Sequence, residues 1–403
     1  MAKRTLLLLG GSAAQVAAID KASELGYRTV LCDYLPDNPG QFHADSFHQV
    51  STTDRDSVLA VAYEESVDGV VAYASDPAAP TAAYVADQLR LPGNSVECVE
   101  DFCDKARFRS FLKSYRFNAP DFLSIDSETG IETAAQLAGS IGFPLVLKPV
   151  DASGSKGVSV VRVADGLAAA VRRARESSHS GDIIAEGYIG DAGSRALEAE
   201  VFVVDGRVVS WGIMESVRGH GINPLVPTIS IHPPRVSETE SDLVKAEIQR
   251  MVNCSGFRCG PMNIELVLDS KRKVWFVDVG PRNGGNMLAE FFSCVSGRDV
   301  VAATIGAAMG RTDLLQVDYP GNNESRWVQH ILGSPRPGRF LGLRGGYPAI
   351  GELVNLNMYY SVGDQVPAFN DAGGAIGIAF LRFRPDATDE EIVQSIDDAV
   401  VVE

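Results

Sequence analysis

The rhythm of apolar and polar positions changes several times along this 403-residue chain. Thr5 to Leu9 is a continuous apolar run, the pattern of a strand buried on both faces of a parallel sheet. Gly10-Gly11-Ser12 supplies a tight turn, Ala13 to Leu25 has helical spacing, and Gly26 stops it. Arg28 to Cys32 reads as the next strand, ending at Asp33, and Val67 to Tyr73 as a third, followed by an alanine-rich helix from Thr81 to Leu91. Strand and helix alternate, which predicts a parallel sheet. Leu91-Pro92-Gly93-Asn94 marks a turn at a domain boundary, so residues 1–100 are expected to form a Rossmann-like first domain. A helical stretch from Val99 to Ser114 then carries Lys105, and Pro120 begins extended chain.

The middle of the chain switches to short strands and glycine-rich turns. Leu145 to Lys148 is an apolar strand closed by a lysine, and Ser159 to Val163 is another. Between them Ser153-Gly154-Ser155-Lys156-Gly157 forms a hairpin loop whose bare N–H groups and lysine suit phosphate oxygens. It is not a Walker A loop, because the glycine and lysine order differs and a strand follows. A helix from Gly166 to Arg175 leads to the strand Ile183 to Glu186, which runs into Gly187-Tyr188-Ile189. Leu197 to Val204 turns at Asp205-Gly206 into Val208 to Ile213, and a polar loop then holds Arg218, His220 and Asn223. Ser237 and Glu240 have capping-box spacing, predicting a helix start there that continues to about Val252.

The next segment alternates with period two. Asn263 to Leu268 and Val274 to Gly280 flank a polar turn, and folding the chain there sets Glu265 opposite Asp278. Cross-strand partners on one face lie roughly 5 Å apart. Two carboxylates at that spacing call for positive charge between them, and a hard cation such as Mg²⁺ suits oxygen donors. The opposite face, Ile264, Leu266, Leu268, Trp275, Val277 and Val279, is expected to be buried. The tail from about residue 311 is rich in glycine and proline, with a strand-like Ala375 to Phe383, and reads as a small α+β domain.

Composition narrows the function classes. The net charge of −16 argues against general affinity for nucleic acid or an anionic membrane, without excluding a local basic pocket. Six scattered cysteines include one close pair, Cys254 and Cys259, and no second pair, which disfavours a structural zinc site. No signal-peptide pattern opens the chain and Leu6 to Leu9 is too short to span a bilayer, so a cytoplasmic, reduced protein is expected. The first βαβ unit lacks the G-x-G-x-x-G fingerprint, which counts against a dinucleotide oxidoreductase. A small substrate near Ser12, Asp33, Ser75 and Asp76, at the strand ends, fits that unit better.

Lys105, Lys148, the Ser153 to Val158 loop, Glu186 and the stretch after it, then Glu265 and Asp278 followed by Arg282, occur in one order at compatible spacings. Together they resemble the ATP-grasp superfamily of carboxylate–amine and carboxylate–thiol ligases, over about residues 100 to 310. The resemblance implies a Rossmann-like domain at 1–100, an ATP-grasp domain at 101–310 with a mobile lid at about 120–185, and a small C-terminal domain at 311–403. It further implies that Lys105 and Lys148 hold ATP phosphates, with Ser153, Gly154, Ser155, Lys156 and Gly157 as the lid loop. Glu186, Tyr188 and Ile189 would read adenine, largely through backbone groups. Glu265 and Asp278 would bind Mg²⁺, with Mn²⁺ as the alternative. Arg282 and Lys148 would be catalytic, Arg282 steadying an acyl phosphate or a carboxylate. Glu198 or Glu200 is a candidate for the ribose. Ser12, Ser75, Asp76, Arg218, His220 and Asn283 are candidates for substrate contact.

The sequence departs from the family at one place. Its members commonly end the metal strand with Glu-x-Asn-x-Arg, whereas here the run is Asp278-Val279-Gly280-Pro281-Arg282. This bears on the second metal ion, for which Asn283 or Asn286 is the candidate substitute. The implied reaction activates a carboxylate as an acyl phosphate on ATP and passes it to an amine, with amino-acid substrates first, a purine-pathway ligase second and a biotin-carboxylase-like enzyme third. A non-catalytic ATP-binding protein is the alternative outside the enzymes. The expected partners are the small-molecule carboxylate and amine, and a second copy in a homodimer.

Overall fold

The computed structural model describes residues 3–218, 226–315, 325–397 and 399–403. The apolar run Thr5–Leu9 lies inside a four-stranded parallel sheet, between Arg28–Asp33 and Gly69–Val71, with Ser46–Gln49 at one edge. Both of its faces are buried, as a continuous apolar strand requires. Leu6 and Leu8 pack with Ala18 and Ile19 of the helix Val16–Glu24 and with Phe291 and Ile305 from much later in the chain. Leu7 and Leu9 pack with Val58 and Ala83 on the other side.

The parallel arrangement ends there. Phe122–Ile125, Ile183–Gly187, Leu145–Pro149 and Ser159–Val161 form an antiparallel sheet in that spatial order. The helices Ile131–Gly139 and Leu167–Glu176 cover one face of it, burying Ala134, Ala138, Val171 and Ala174 against Leu145, Leu147 and Ile183. The largest sheet has eight antiparallel strands. Its order is Val274–Gly280, Gly260–Leu268, Arg195–Val204, Arg207–Arg218, Pro227–His232, Arg326–Leu332, Gly377–Phe383 and Glu352–Met358. The parallel sheet that strand–helix alternation implies is therefore confined to residues 5–71. Hairpin turns drive the difference: Asp205 and Gly206 both take positive φ, the backbone a two-residue hairpin needs.

Helices Glu238–Ser255, Val96–Cys103 and Lys105–Ser114 pack on one face of the large sheet. Glu238–Ser255 begins with the Ser237/Glu240 capping box that its spacing predicts. The expected single helix from Val99 to Ser114 is two, Val96–Cys103 and Lys105–Ser114. Asp104 breaks it by taking extended backbone angles and accepting the Arg107 N–H as the cap of the second helix. That break re-aims the chain so that Lys105 opens a helix whose buried residues also include Phe108, Arg109, Phe111 and Leu112.

Candidate active site

The hairpin Gly260–Leu268/Val274–Gly280 pairs Glu265 with Asp278, as the alternation predicts. The register then shifts by one residue, because Leu266 pairs with Phe276. This bulge leaves Val277 outside the ladder. Phe276 and Val274, not Trp275 and Val277, therefore enter the core beside Leu266, and both Val277 and Asp278 line the cleft. Glu198 faces Glu265 on the next strand, so three carboxylates stand in a row across three strands. Each has partners. Glu265 accepts from Arg218 at 3.0 Å, Asp278 lies 3.5 Å from the Lys105 ammonium, and Glu198 accepts from Asn263 at 3.1 Å and Ser230 at 3.3 Å.

A cavity of about 210 Å³ opens between the two antiparallel sheets. Lys105, Lys148, Ser153, Gly154 and Ser155 line it together with Glu265, Asp278, Glu186, Tyr188 and Ile189. Val146, Val160, Val267 and Val277 give it apolar walls. Among the loop residues, Gly154, Ser155 and Gly157 all take positive φ, which turns the loop tightly. Lys156 is exposed and, with Gly157, stands outside the lining.

The cations of the site are buried and already engaged. Lys105 donates to the Ala152 carbonyl at 2.7 Å. Burial opposes its charge, but Asp278 and Asp76 outweigh that and hold its pKa above the usual lysine value. Lys148 contacts the Glu186 carboxylate. Burial dominates at Lys148 and lowers its pKa, with Glu186 opposing. At Glu186 the burial penalty is outweighed by Arg109 and then Lys148, which keep the carboxyl below its ordinary range. Asp278 behaves the same way, its burial overcome first by Lys105.

Other candidates sit elsewhere. Arg282 pairs with Asp76, which follows the strand Gly69–Val71, and its Nη1 donates to the Asn283 carbonyl at 2.9 Å. Gly280 makes room for that pair, since a Cβ there would lie 2.7 Å from Arg282 Cζ and 2.7 Å from Asp76 Oδ1. Asp76, Lys105, Ala152 and Asp278 also border a second cavity of about 410 Å³ beside the first. Asn283 is fully buried, donating to Glu200 at 3.0 Å and accepting from Thr304 at 2.9 Å. Glu200 is thereby committed to the loop after the hairpin, and burial pushes its pKa up to about 8. Ser12 does not reach the cavity: its N–H donates to the Gln15 side chain, and Asp33 accepts from Gly11 and Leu35. Ser75 is not among the lining residues either. His220 and Asn223 lie outside the described residues.

Sequence reasoning passed over Arg109. It is fully buried, with Nε 2.7 Å from Glu186 Oε2 and Nη2 2.7 Å from the Val277 carbonyl. A signal was present. Lys105, Phe108, Arg109 and Leu112 fall on one helical face, and two cations sharing a face with core residues must find charge to meet.

Comparison with known proteins adds the following. Residues 141–290 match the ATP-grasp domain family. The carbamoyl phosphate synthase large chain of Pseudomonas putida is 26% identical over 267 residues, 64% of this chain and 24% of that one. The chain thus spans about a quarter of the length of that relative. The L-amino acid ligase structure from Bacillus licheniformis superposes with a TM-score of 0.81 at 20% identity, covering 100% of both chains. The biotin carboxylase domain of Hydrogenobacter thermophilus 2-oxoglutarate carboxylase, solved with MgADP and bicarbonate, gives 0.70 at 16% identity, covering 95% of this chain and 86% of that one. At these identities the structures establish the fold.

Proposed function

We propose that this ATP-grasp protein is an ADP-forming ligase that activates a carboxylate on ATP and joins it to an amine, with amino-acid-type substrates. The observation that carries the reading is the convergence of two buried lysines, a glycine-rich loop and a facing pair of carboxylates on one cavity. In this reading Lys105, Lys148 and the N–H groups of Ser153 to Gly157 hold the phosphates, and the backbone of Glu186 to Ile189 holds adenine. Glu265 and Asp278 fit Mg²⁺, or Mn²⁺: both offer hard oxygen donors, and in the structure each is compensated by a cation, Arg218 and Lys105. When bound, such an ion neutralises phosphate charge.

The substrate carboxylate attacks the γ-phosphorus and ADP leaves, giving an acyl phosphate; the amine nitrogen then attacks the acyl carbon and phosphate leaves. Lys148 and Arg282 stabilise the charge that develops, and closure of the segment at about 120–185 keeps water from the anhydride. Arg218 and Asp76, beside the carboxylates and Arg282, are the substrate contacts this arrangement favours. The same reading places the protein in the cytoplasm, as a homodimer acting on small molecules; among the described residues no helix is long and apolar enough to cross a membrane.

The test is ADP release with ATP and Mg²⁺ across panels of amino acids, other carboxylic acids and bicarbonate. Release that requires an acid plus an amine, and is lost in Lys148→Ala and Glu265→Ala, is the expected result. Clear ATP binding with no substrate-dependent release from a broad panel would point instead to a binding protein.

A further inference from the structure

One carboxylate in this site serves two cations. Glu186 Oε2 accepts from Arg109 Nε at 2.7 Å, and Glu186 Oε1 is shared between Arg109 Nη2 at 3.3 Å and the Lys148 ammonium. Arg109, Glu186 and Lys148 are 0%, 3% and 5% exposed, so water compensates none of them. Lys148 lines the cavity, whereas Arg109 does not and reaches the cavity wall through the Val277 carbonyl.

This asymmetry has a consequence for any anion that arrives. Lys148 engages a phosphate at the expense of its pairing with Glu186, whose carboxylate it now contacts. A buried carboxylate stripped of its sole cation is strongly unfavourable, so a simple Lys148–Glu186 pair would resist opening. The planar fork of an arginine grips both oxygens of a carboxylate at once. With Arg109 in place, Glu186 stays compensated when Lys148 departs. We propose that Arg109 is a positioning residue that keeps Glu186 neutralised and so releases Lys148 to the phosphates of the nucleotide. The inference rests on the nucleotide reading given above. Electrostatics agree with it: burial and, opposing Glu186, the charge of Arg109 both weaken the protonated state of Lys148. Arg109 also fastens the bulged residue next to Asp278, so the helix that carries Lys105 is tied to the Glu186 strand and to the carboxylate hairpin.

The test uses the full chain and calorimetric titration with Mg·AMP-PNP, with adenosine as the probe that lacks phosphates. Arg109→Met is expected to weaken AMP-PNP about tenfold or more, because Lys148 is then held by Glu186 alone, while adenosine affinity stays within about threefold. Adding Glu186→Gln to Arg109→Met removes the charge that traps Lys148 and should restore AMP-PNP binding to within about threefold of wild type. Arg109→Lys, which keeps a buried cation against Glu186 and so disturbs the fold less than Arg109→Met, is expected to bind AMP-PNP more tightly than Arg109→Met does. Equal AMP-PNP binding by wild type and Arg109→Met overturns the inference. So does a double variant as weak as the single one, since a purely structural role would not be rescued, and so does a folded Arg109→Lys that binds AMP-PNP as weakly as Arg109→Met. A wild type that takes no AMP-PNP at all sinks the nucleotide reading itself, which the variants' behaviour relative to wild type does not touch.

Discussion

Glu200 shows how a single buried group can make the stability of this protein depend on pH. Its carboxylate accepts from Asn283 at 3.0 Å and from the Gly284 N–H at 2.9 Å, and it is 4% exposed. Burial still outweighs those donors and raises its pKa from 4.5 to about 8. An acid whose folded pKa is raised binds more protons folded than unfolded between those two values. Its cost to stability is absent below about pH 4.5, grows through the window and is complete above about pH 8, reaching the order of 5 kcal/mol. Glu200→Gln removes that titration and adds a pH-independent loss of one acceptor. Urea unfolding should therefore show the variant gaining on wild type by several kcal/mol between about pH 5 and about pH 8.5. An equal stability difference at both pH values would mean that Glu200 does not titrate in this range. The sequence named Glu200 as a ribose candidate; its strand position was legible, but its partners come from a loop some eighty residues later, which local spacing cannot reveal.

At the scale of elements, two features were readable and two were not. The Glu265–Asp278 pairing follows from a side-chain period of two and a polar turn, both local. The capping box of the helix Glu238–Ser255 is likewise a four-residue signal. The bulge after Glu265 is different, because one extra residue in a strand leaves no mark on alternation until the partner register is known. The break at Asp104 was hidden for a related reason: Phe102, Phe108, Phe111 and Leu112 keep enough helical spacing across it to suggest one helix. The glycine-rich loop is the element whose sequence and geometry agree most directly. Gly157 has φ +70°, and a Cβ there would meet Ser177 Cβ at 2.6 Å, at the end of the helix Leu167–Glu176. Gly157→Ala should destabilise by about 1–2 kcal/mol, through both backbone strain and this clash. Gly142→Ala is the control, with φ +94° and nothing within 4 Å of the added methyl. Hydrogen exchange should then show faster opening at residues 150–160 and around Ser177 in Gly157→Ala alone. Similar exchange in both variants would assign the effect to φ and not to the contact.

Across the whole molecule, the candidate cavity belongs to no single sheet. Val146, Lys148, Val160 and Glu186 come from the four-stranded sheet, while Ala196, Glu265, Val267, Val277 and Asp278 come from the eight-stranded one. In the site the helix Lys105–Ser114 bridges these units, Lys105 reaching the Ala152 carbonyl and Asp278, and Arg109 reaching Glu186 and the Val277 carbonyl. A ligand seated between the sheets adds its own contacts to both, so its binding energy is also energy of association between them. Ligand at a hundred times its dissociation constant stabilises a folded state by about 2.7 kcal/mol. Mg·ADP should accordingly raise the melting temperature, and part of the rise should vanish when EDTA removes the metal. The proposed metal role of Glu265 and Asp278 fixes where that part resides. In a Glu265→Gln/Asp278→Asn variant, which lacks both charges, ADP should still stabilise, but adding Mg²⁺ or EDTA should leave the melting temperature unchanged. A variant that keeps the full Mg²⁺-dependent shift would show that the ion is held by other oxygens, and the facing carboxylates would then be explained by their pairing with Arg218 and Lys105 alone.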